Sequence, residues 1–134
     1  MKHLIVTAAI LVESGEILCM QRSENKFSYL SYKYEFPGGK VEAGETFEQT
    51  LSRELKEEMD LDLEVRPEQF FMTVEHAYPD FSITMHSYLC QVPHRIFTRK
   101  EHKDHIWLKP HKLESLDWAP ADVPIMKRLM EELK

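Results

Sequence analysis

Cys19 and Cys90 are the only cysteines in 134 residues. Far apart in the chain, they supply neither a disulfide framework nor a zinc knuckle, and reduced thiols in a cytoplasmic protein are the expectation. Long apolar runs are also missing. The run from Leu4 to Val12 is too short to span a bilayer. No small-residue cleavage site precedes Glu13 and Glu16, so this run reads as a buried strand rather than a leader. Basic clusters are absent, and the formal net charge is −6. That argues against non-specific electrostatic capture of a nucleic-acid polyanion. A phosphorylated small molecule stays open, because a metal ion can bring the positive charge. There is no Walker motif, which disfavours transfer to an acceptor by P-loop chemistry. Repeats, linkers and low-complexity tracts are absent too, so residues 1–134 are expected to form a single domain.

What is present reads as an ordinary globular mixture, 43% hydrophobic and 30% charged. Residues 3–13 predict a strand ended by the turn Ser14-Gly15, and residues 16–22 a returning strand. Residues 23–33 read as a polar and aromatic loop. A short strand at Tyr34–Phe36 is expected to stop at Pro37-Gly38-Gly39. A helix follows over residues 46–59. Thr46 and Gln49 have capping-box spacing, and Phe47, Leu51, Leu55 and Met59 recur at i+4. Strand segments are expected at 61–65, 70–74, 82–92 and 104–108, and a second helix from Pro120 onward. This order predicts an α+β fold with a mixed sheet rather than repeating βαβ units.

The chemistry concentrates on the first helix. Glu54, Glu57 and Glu58 stand at i, i+3 and i+4, within an arc of about 100°. Like charges so placed repel, and Glu58, beside the apolar stripe, should lie near the core boundary, where desolvation adds to the cost. A hard divalent cation reverses that penalty. Mg²⁺ accepts a few carboxylates plus substrate phosphates while keeping waters. Alone, such a run is more often a solvated acidic face. Its surroundings argue for more: Arg53 is one turn before Glu57, Glu45 precedes the helix, and Pro37-Gly38-Gly39 and Gly44 bracket the loop before it.

The segment Gly39–Leu61, GKVEAGETFEQTLSRELKEEMDL, resembles the Nudix box, G-x5-E-x7-R-E-U-x-E-E-x-G-U, where U is bulky and aliphatic. Gly39, Glu45, Arg53, Glu54, Leu55, Glu57, Glu58 and Leu61 match. Asp60 stands where the family usually has Gly, a position that ends the helix in a left-handed conformation, which Asp tolerates better than most residues. Gln21-Arg22, the run Glu35–Glu42, Tyr78-Pro79-Asp80, Glu101-His102 and Ala119–Pro124 extend the likeness to the MutT-like and CTP pyrophosphohydrolase-like branch.

The resemblance implies an α/β/α sandwich with the box helix and a C-terminal helix. It also implies Mg²⁺-dependent hydrolysis (Mn²⁺ substituting) of a nucleoside triphosphate to monophosphate and pyrophosphate. Glu54, Glu57 and Glu58 would hold the metal with a backbone carbonyl at Gly38, while Arg53 and Glu45 orient them. Glu101 would be a ligand or a base, or simply a surface acid. Lys40 would face a phosphate and Arg22 a phosphate or sugar. Tyr78 loosely resembles a tyrosine of dinucleoside polyphosphate enzymes. Asp122 would read the base, or cap the last helix. Dinucleoside polyphosphate, ADP-ribose or nucleotide-sugar hydrolysis, and a non-catalytic nucleotide module, are the alternatives. The partner expected is a small nucleotide, with no nucleic acid and no membrane, for a monomer or homodimer. His102, His105 and His111 read as a solvated cluster rather than a zinc site. Phe27, Tyr29, Tyr32 and Tyr34 read as core or lid packing or as a base-stacking surface, and Trp107 and Trp118 as packing residues.

Overall fold

A computed structural model describes residues 1–133; Lys134, the last residue of the expected domain, lies outside the described residues. The apolar run at the start becomes β1 (Lys2–Glu13), which turns at Ser14-Gly15 into β2 (Glu16–Gln21). Then come β3 (Tyr34–Glu35), β4 (Gly38–Lys40), α1 (Phe47–Met59), β5 (Phe70–Ala77), β6 (Phe81–Gln91), β7 (Asp104–Leu108) and α2 (Val123–Glu132). The strands form one mixed sheet in the order β3-β2-β1-β6-β5, with β4 paired to β1 and β7 to β2. β1 and β6 run parallel from Lys2↔Phe81 to Val12↔Gln91.

The unbroken hydrophobicity of β1 follows from burial on both faces, as in strands covered from two sides. Ala8, Ile10 and Val12 join one core with Ile125 and Leu129 of α2. Their neighbours Ala9 and Leu11 join a second core with Leu51, Leu55 and Met59 of α1. Alternation along a strand thus sorts residues between two helical layers, and the α/β/α arrangement expected from the resemblance is present. Each fully buried Leu or Ile stabilises it by about 1.5–3 kcal/mol. Cys19 belongs to the first core and Cys90 to the second; both thiols are free, and burial pushes each up to about 12. Among the described residues no helix is long and apolar enough to cross a membrane.

Two expectations fail. Residues 61–65 are not a strand. Leu61 and Val65 are buried against α1, but their backbone bonds to the helix: Leu61 N donates to Leu55 O at 3.2 Å and Val65 N to Ser52 Oγ at 3.0 Å. The period-two pattern therefore reflects a segment plugging the core with no strand beside it. Conversely, Gly38-Gly39 does not end the sheet. The chain re-enters it as β4, with Ala8↔Gly38 and Val6↔Lys40 as partners. A Cβ on Gly38 would stand 1.9 Å from Thr7 O, so only glycine permits this approach.

Candidate active site

Local sequence fixes the ends of α1. Thr46 Oγ1 accepts from Gln49 N at 3.1 Å, and Gln49 Oε1 accepts from Thr46 N at 2.9 Å, the capping box expected from the spacing. At the other end Asp60 is left-handed, with φ 52° and ψ 31°. It therefore takes the backbone role that glycine usually fills.

Arg53 organises the polar face of α1. Its Nε donates to Glu45 Oε2 at 2.7 Å and its Nη2 to Glu45 Oε1 at 3.0 Å, a bidentate grip. Nη1 reaches Glu54 Oε1 at 3.0 Å and Glu57 Oε2 at 3.1 Å, and Nη2 reaches Lys40 O at 3.3 Å. Glu45 also accepts from the buried Thr50 hydroxyl at 2.9 Å and from Glu42 N at 3.1 Å. Held first by Arg53, with Thr50 and the Glu42 amide adding to it, the Glu45 carboxyl is lowered to about 2. The same pairing raises Arg53 further above its ordinary range. Arg53 and Glu45 thus form a rigid brace, and neither lines the cleft described below.

Glu58 points the other way. Burial, then the Glu54 carboxyl within hydrogen-bonding reach, then the charges of Glu101 and Glu35 raise its carboxyl to about 9. Glu54 lies close against the Gly39 backbone: a Cβ on Gly39 would stand 2.3 Å from Glu54 Cδ. Two carboxyls this close share a proton when nothing else neutralises them. Among the described residues no three His, Cys, Asp or Glu side chains converge into a cage for a metal ion. Glu57 in particular is turned toward Arg53 and largely exposed. A hard cation that keeps several waters needs fewer protein ligands than a cage supplies, and the repelling Glu54–Glu58 pair fits such a cation.

A cleft of about 430 Å³ opens beside this pair. Its walls include Arg22, Glu35, Phe36, Gly38, Gly39, Lys40, Glu58, Tyr78, Glu101, His102 and Asp122. Asp122 is buried. It occupies the position before α2 yet makes no side-chain cap there. Its Oδ1 instead accepts from Phe36 N at 3.2 Å. Burial, with the charge of Glu35 added, raises its carboxyl well above the ordinary range, which favours a neutral acid able to donate as well as accept. The helix-cap reading of Asp122 is therefore removed. The Tyr78 hydroxyl accepts from Ala121 N at 3.1 Å, and burial pushes it up to about 12. The ring stacks on Tyr29 with centroids 5.4 Å apart.

Of the residues singled out from the sequence, the fold brings Arg22, Gly38, Lys40, Glu58, Tyr78, Glu101 and Asp122 to one cleft. Glu45, Arg53, Glu54 and Glu57 stand behind or beside it. Glu35 and His102 also line the cleft, with no site role expected of them from the sequence. Glu35 accepts from Arg22 Nη1 at 2.7 Å on one oxygen and pairs with His102 Nε2 at 2.8 Å on the other. The three histidines are not one cluster: the His102 side chain is 9% exposed inside the cleft, whereas His105 bonds Arg99 at 2.8 Å and packs edge-on to Phe97. The signal for Glu35 and His102 lay in strand pairing, since β2 lies between β3 and β7. Phe27, Tyr29 and Tyr34 pack against the core, while Tyr32 is exposed. Trp118 is buried, its Nε1 donating to Leu113 O at 2.7 Å, and Trp107 packs under Arg95.

Comparison with known proteins gives a consistent neighbourhood. The model of the NUDIX domain matches residues 1–129. An 8-oxo-dGTP diphosphatase of Escherichia coli (strain K12) is 33% identical over 132 residues, covering 96% of this chain and 98% of that protein. A CTP pyrophosphohydrolase of the same organism is 32% identical over 130 residues, covering 97% and 93%. Among solved structures, a MutT protein from methicillin-resistant Staphylococcus aureus 252, described as a Nudix hydrolase, is 42% identical. It superposes with a TM-score of 0.76 over 98% of this chain and 99% of that one.

Proposed function

Because the chain belongs to the NUDIX family, we propose that it hydrolyses a nucleoside triphosphate to the monophosphate and pyrophosphate. The substrate is a cytidine nucleotide or an oxidised purine deoxynucleotide, and a divalent cation, Mg²⁺ or Mn²⁺, assists. The observation that carries the reading is the Glu54–Glu58 pair, with Glu58 in the wall of a cleft that also holds Asp122. Relatives named for 8-oxo-dGTP and for CTP support it.

Glu54 and Glu58, with the Gly38 carbonyl, would hold the cation. The cation would neutralise phosphate charge and lower the pKa of water. Glu57, held by Arg53, would complete the ligand set, and Glu101 would act from the facing loop as ligand or base. Arg53 and Glu45 fix the helix carboxyls so that little reorganisation accompanies the reaction. Lys40 and Arg22 face the phosphates or sugar; Arg22 is held in place by Glu35. Water attacks phosphorus, giving up its proton to a base, and the anhydride bond between the monophosphate and pyrophosphate parts breaks, with no covalent enzyme intermediate. Asp122, in the wall of the cleft, would meet the base. A neutral carboxyl there pairs with an edge that offers one donor and one acceptor. Cytosine N4–H and N3 make such an edge, as do N1–H and O6 of guanine or 8-oxoguanine.

A panel of CTP, dCTP, 5-methyl-dCTP, 8-oxo-dGTP, dATP, ADP-ribose and a dinucleoside polyphosphate, with products separated, tests the reading. Monophosphate and pyrophosphate should be the products of the best substrate. The Asp122→Ala variant should lose about ten-fold or more in kcat/KM, as expected for a lost base-edge pair of roughly 1–3 kcal/mol. Preference for ADP-ribose or the dinucleotide would replace this substrate class. No metal-dependent turnover on any member would end the hydrolase reading.

A further inference from the structure

Glu101 reaches the cleft on residues 92–103, a connection between β6 and β7 with no regular structure of its own. Such a segment holds a side chain in place only as well as its moorings do. One mooring lies on the strand that carries Arg22 toward the cleft. There Ser23 Oγ donates to Glu101 O at 3.0 Å, and Lys103 N donates to Gln21 O at 2.9 Å. The other lies at the end of α1. Thr98 N donates to Met59 O at 2.9 Å, and Lys100 Nζ donates both to Glu57 O at 3.1 Å and to Asp60 Oδ1 at 2.9 Å. Glu101 is therefore suspended between the helix of Glu54 and Glu58 and the end of β2.

Asp60 is the one position where the box departs from the family pattern, and its side chain is the group that receives Lys100. Glycine satisfies a left-handed residue with less strain, yet it has no atom with which to hold a lysine. We propose that Asp60 and Lys100 are positioning residues. Their ion pair moors the Glu101 segment to the end of the box helix and so sets Glu101 against the Glu54–Glu58 pair. The proposal rests on the reading that Glu101 takes part in the reaction. The two side chains are 49% and 41% exposed, and pairs so open to solvent add little to folding stability. The consequence of removing the pair therefore falls on turnover rather than on melting.

Asp60→Gly separates the two roles of this residue, since it removes the carboxylate while easing the backbone. With the best nucleotide of the panel and saturating Mg²⁺, Asp60→Gly and Lys100→Met should each lower kcat by about three- to thirty-fold, as a small misplacement of a reacting group does. KM and melting temperature should stay near wild type, and Lys100→Arg should recover most of the rate. The double variant Asp60→Gly/Glu101→Gln should be no slower than Glu101→Gln alone, because a mooring has no effect once the moored group is gone. Wild-type kcat in Glu101→Gln would remove Glu101 from the reaction, overturning the parent reading and this one together. A slow Glu101→Gln beside wild-type kcat in both mooring variants would overturn the mooring alone. So would losses that multiply in the double variant.

Discussion

Replacing Glu58 by Gln removes the proton-holding member of the carboxyl pair, and the stability of the variant should depend on pH in a direction set by its surroundings. Burial, the Glu54 carboxyl and the charges of Glu101 and Glu35 raise Glu58 from an ordinary 4.5 to about 9. The unfolded chain releases this proton near 4.5, whereas the native state keeps it up to about 9. Within that window the native state binds more protons, so stability is lost as pH rises. With no screening, the loss between pH 5 and pH 7.5 would be about 3 kcal/mol. The side chain still meets solvent along the cleft, and screening reduces this to about 1–2 kcal/mol. Gln does not titrate and escapes the decline. In buffer treated with a chelator, Glu58→Gln should melt close to wild type at pH 5 and about 3–8 °C above it at pH 7.5. With Mg²⁺ and nucleotide added, the same variant should lose most turnover. Thermal melts across this pH range check the reasoning. A gap of equal size at both pH values, or none at pH 7.5, would refute it.

Adjacent glycines should fail in different ways. In Gly38→Ala the new Cβ meets Thr7 O, a backbone atom that cannot move aside, so β4 should detach and stability fall by about 2 kcal/mol or more. In Gly39→Ala its nearest neighbours are the atoms of the Glu54 carboxyl, the mobile end of a side chain, so the fold should survive while kcat drops at least about ten-fold. Melting and kinetics on the two variants would separate these outcomes, and equal melting temperatures would count against the β4 argument. Metal-free protein should gain about 2.7 kcal/mol of stability at a Mg²⁺ or Mn²⁺ concentration one hundred times its dissociation constant. The gain should shrink in Glu54→Gln. A melting temperature unmoved by millimolar metal in the presence of nucleotide would oppose a carboxylate metal site.

Features written in neighbouring residues were the ones legible from sequence. The capping box at Thr46 and Gln49, the apolar stripe of α1, the left-handed Asp60 and the boundary position of Glu58 each depend on contacts within a turn or two of helix. The Nudix box shares that locality, which is why the brace of Arg53 on Glu45, Glu54 and Glu57 could be anticipated. Features created by distant pairing were not legible. Gly38-Gly39 carries the composition of a turn, and only the bare edge of β1 makes it a strand. Leu61, Leu63 and Val65 alternate as a strand would, but the bonding partner of this backbone is α1. Glu35 and His102 are 67 positions apart and meet because β2 lies between β3, which carries Glu35, and β7, which His102 precedes by two residues. For Asp122 the sequence left open a base-reading residue or a helix cap, and the absence of a cap follows from a bond to Phe36 N, 86 positions away, that no local pattern announces.

The parallel ladder of β1 and β6 carries a consequence for how the chain acquires its structure. Each pair in it joins residues about 79 positions apart, as His3 and Ser82 are. Closing so long a loop comes late, because chain entropy must be lost before the pairing returns any stability. Until Phe81–Gln91 has left the ribosome, β1, whose middle is buried on both faces in the finished protein, has no parallel partner along one edge. A nascent chain of about 80 residues would thus display its most apolar segment as an open strand edge, the template on which chains associate with one another. The doubly covered strand that centres the mature sheet is, during synthesis, the segment most in need of shelter.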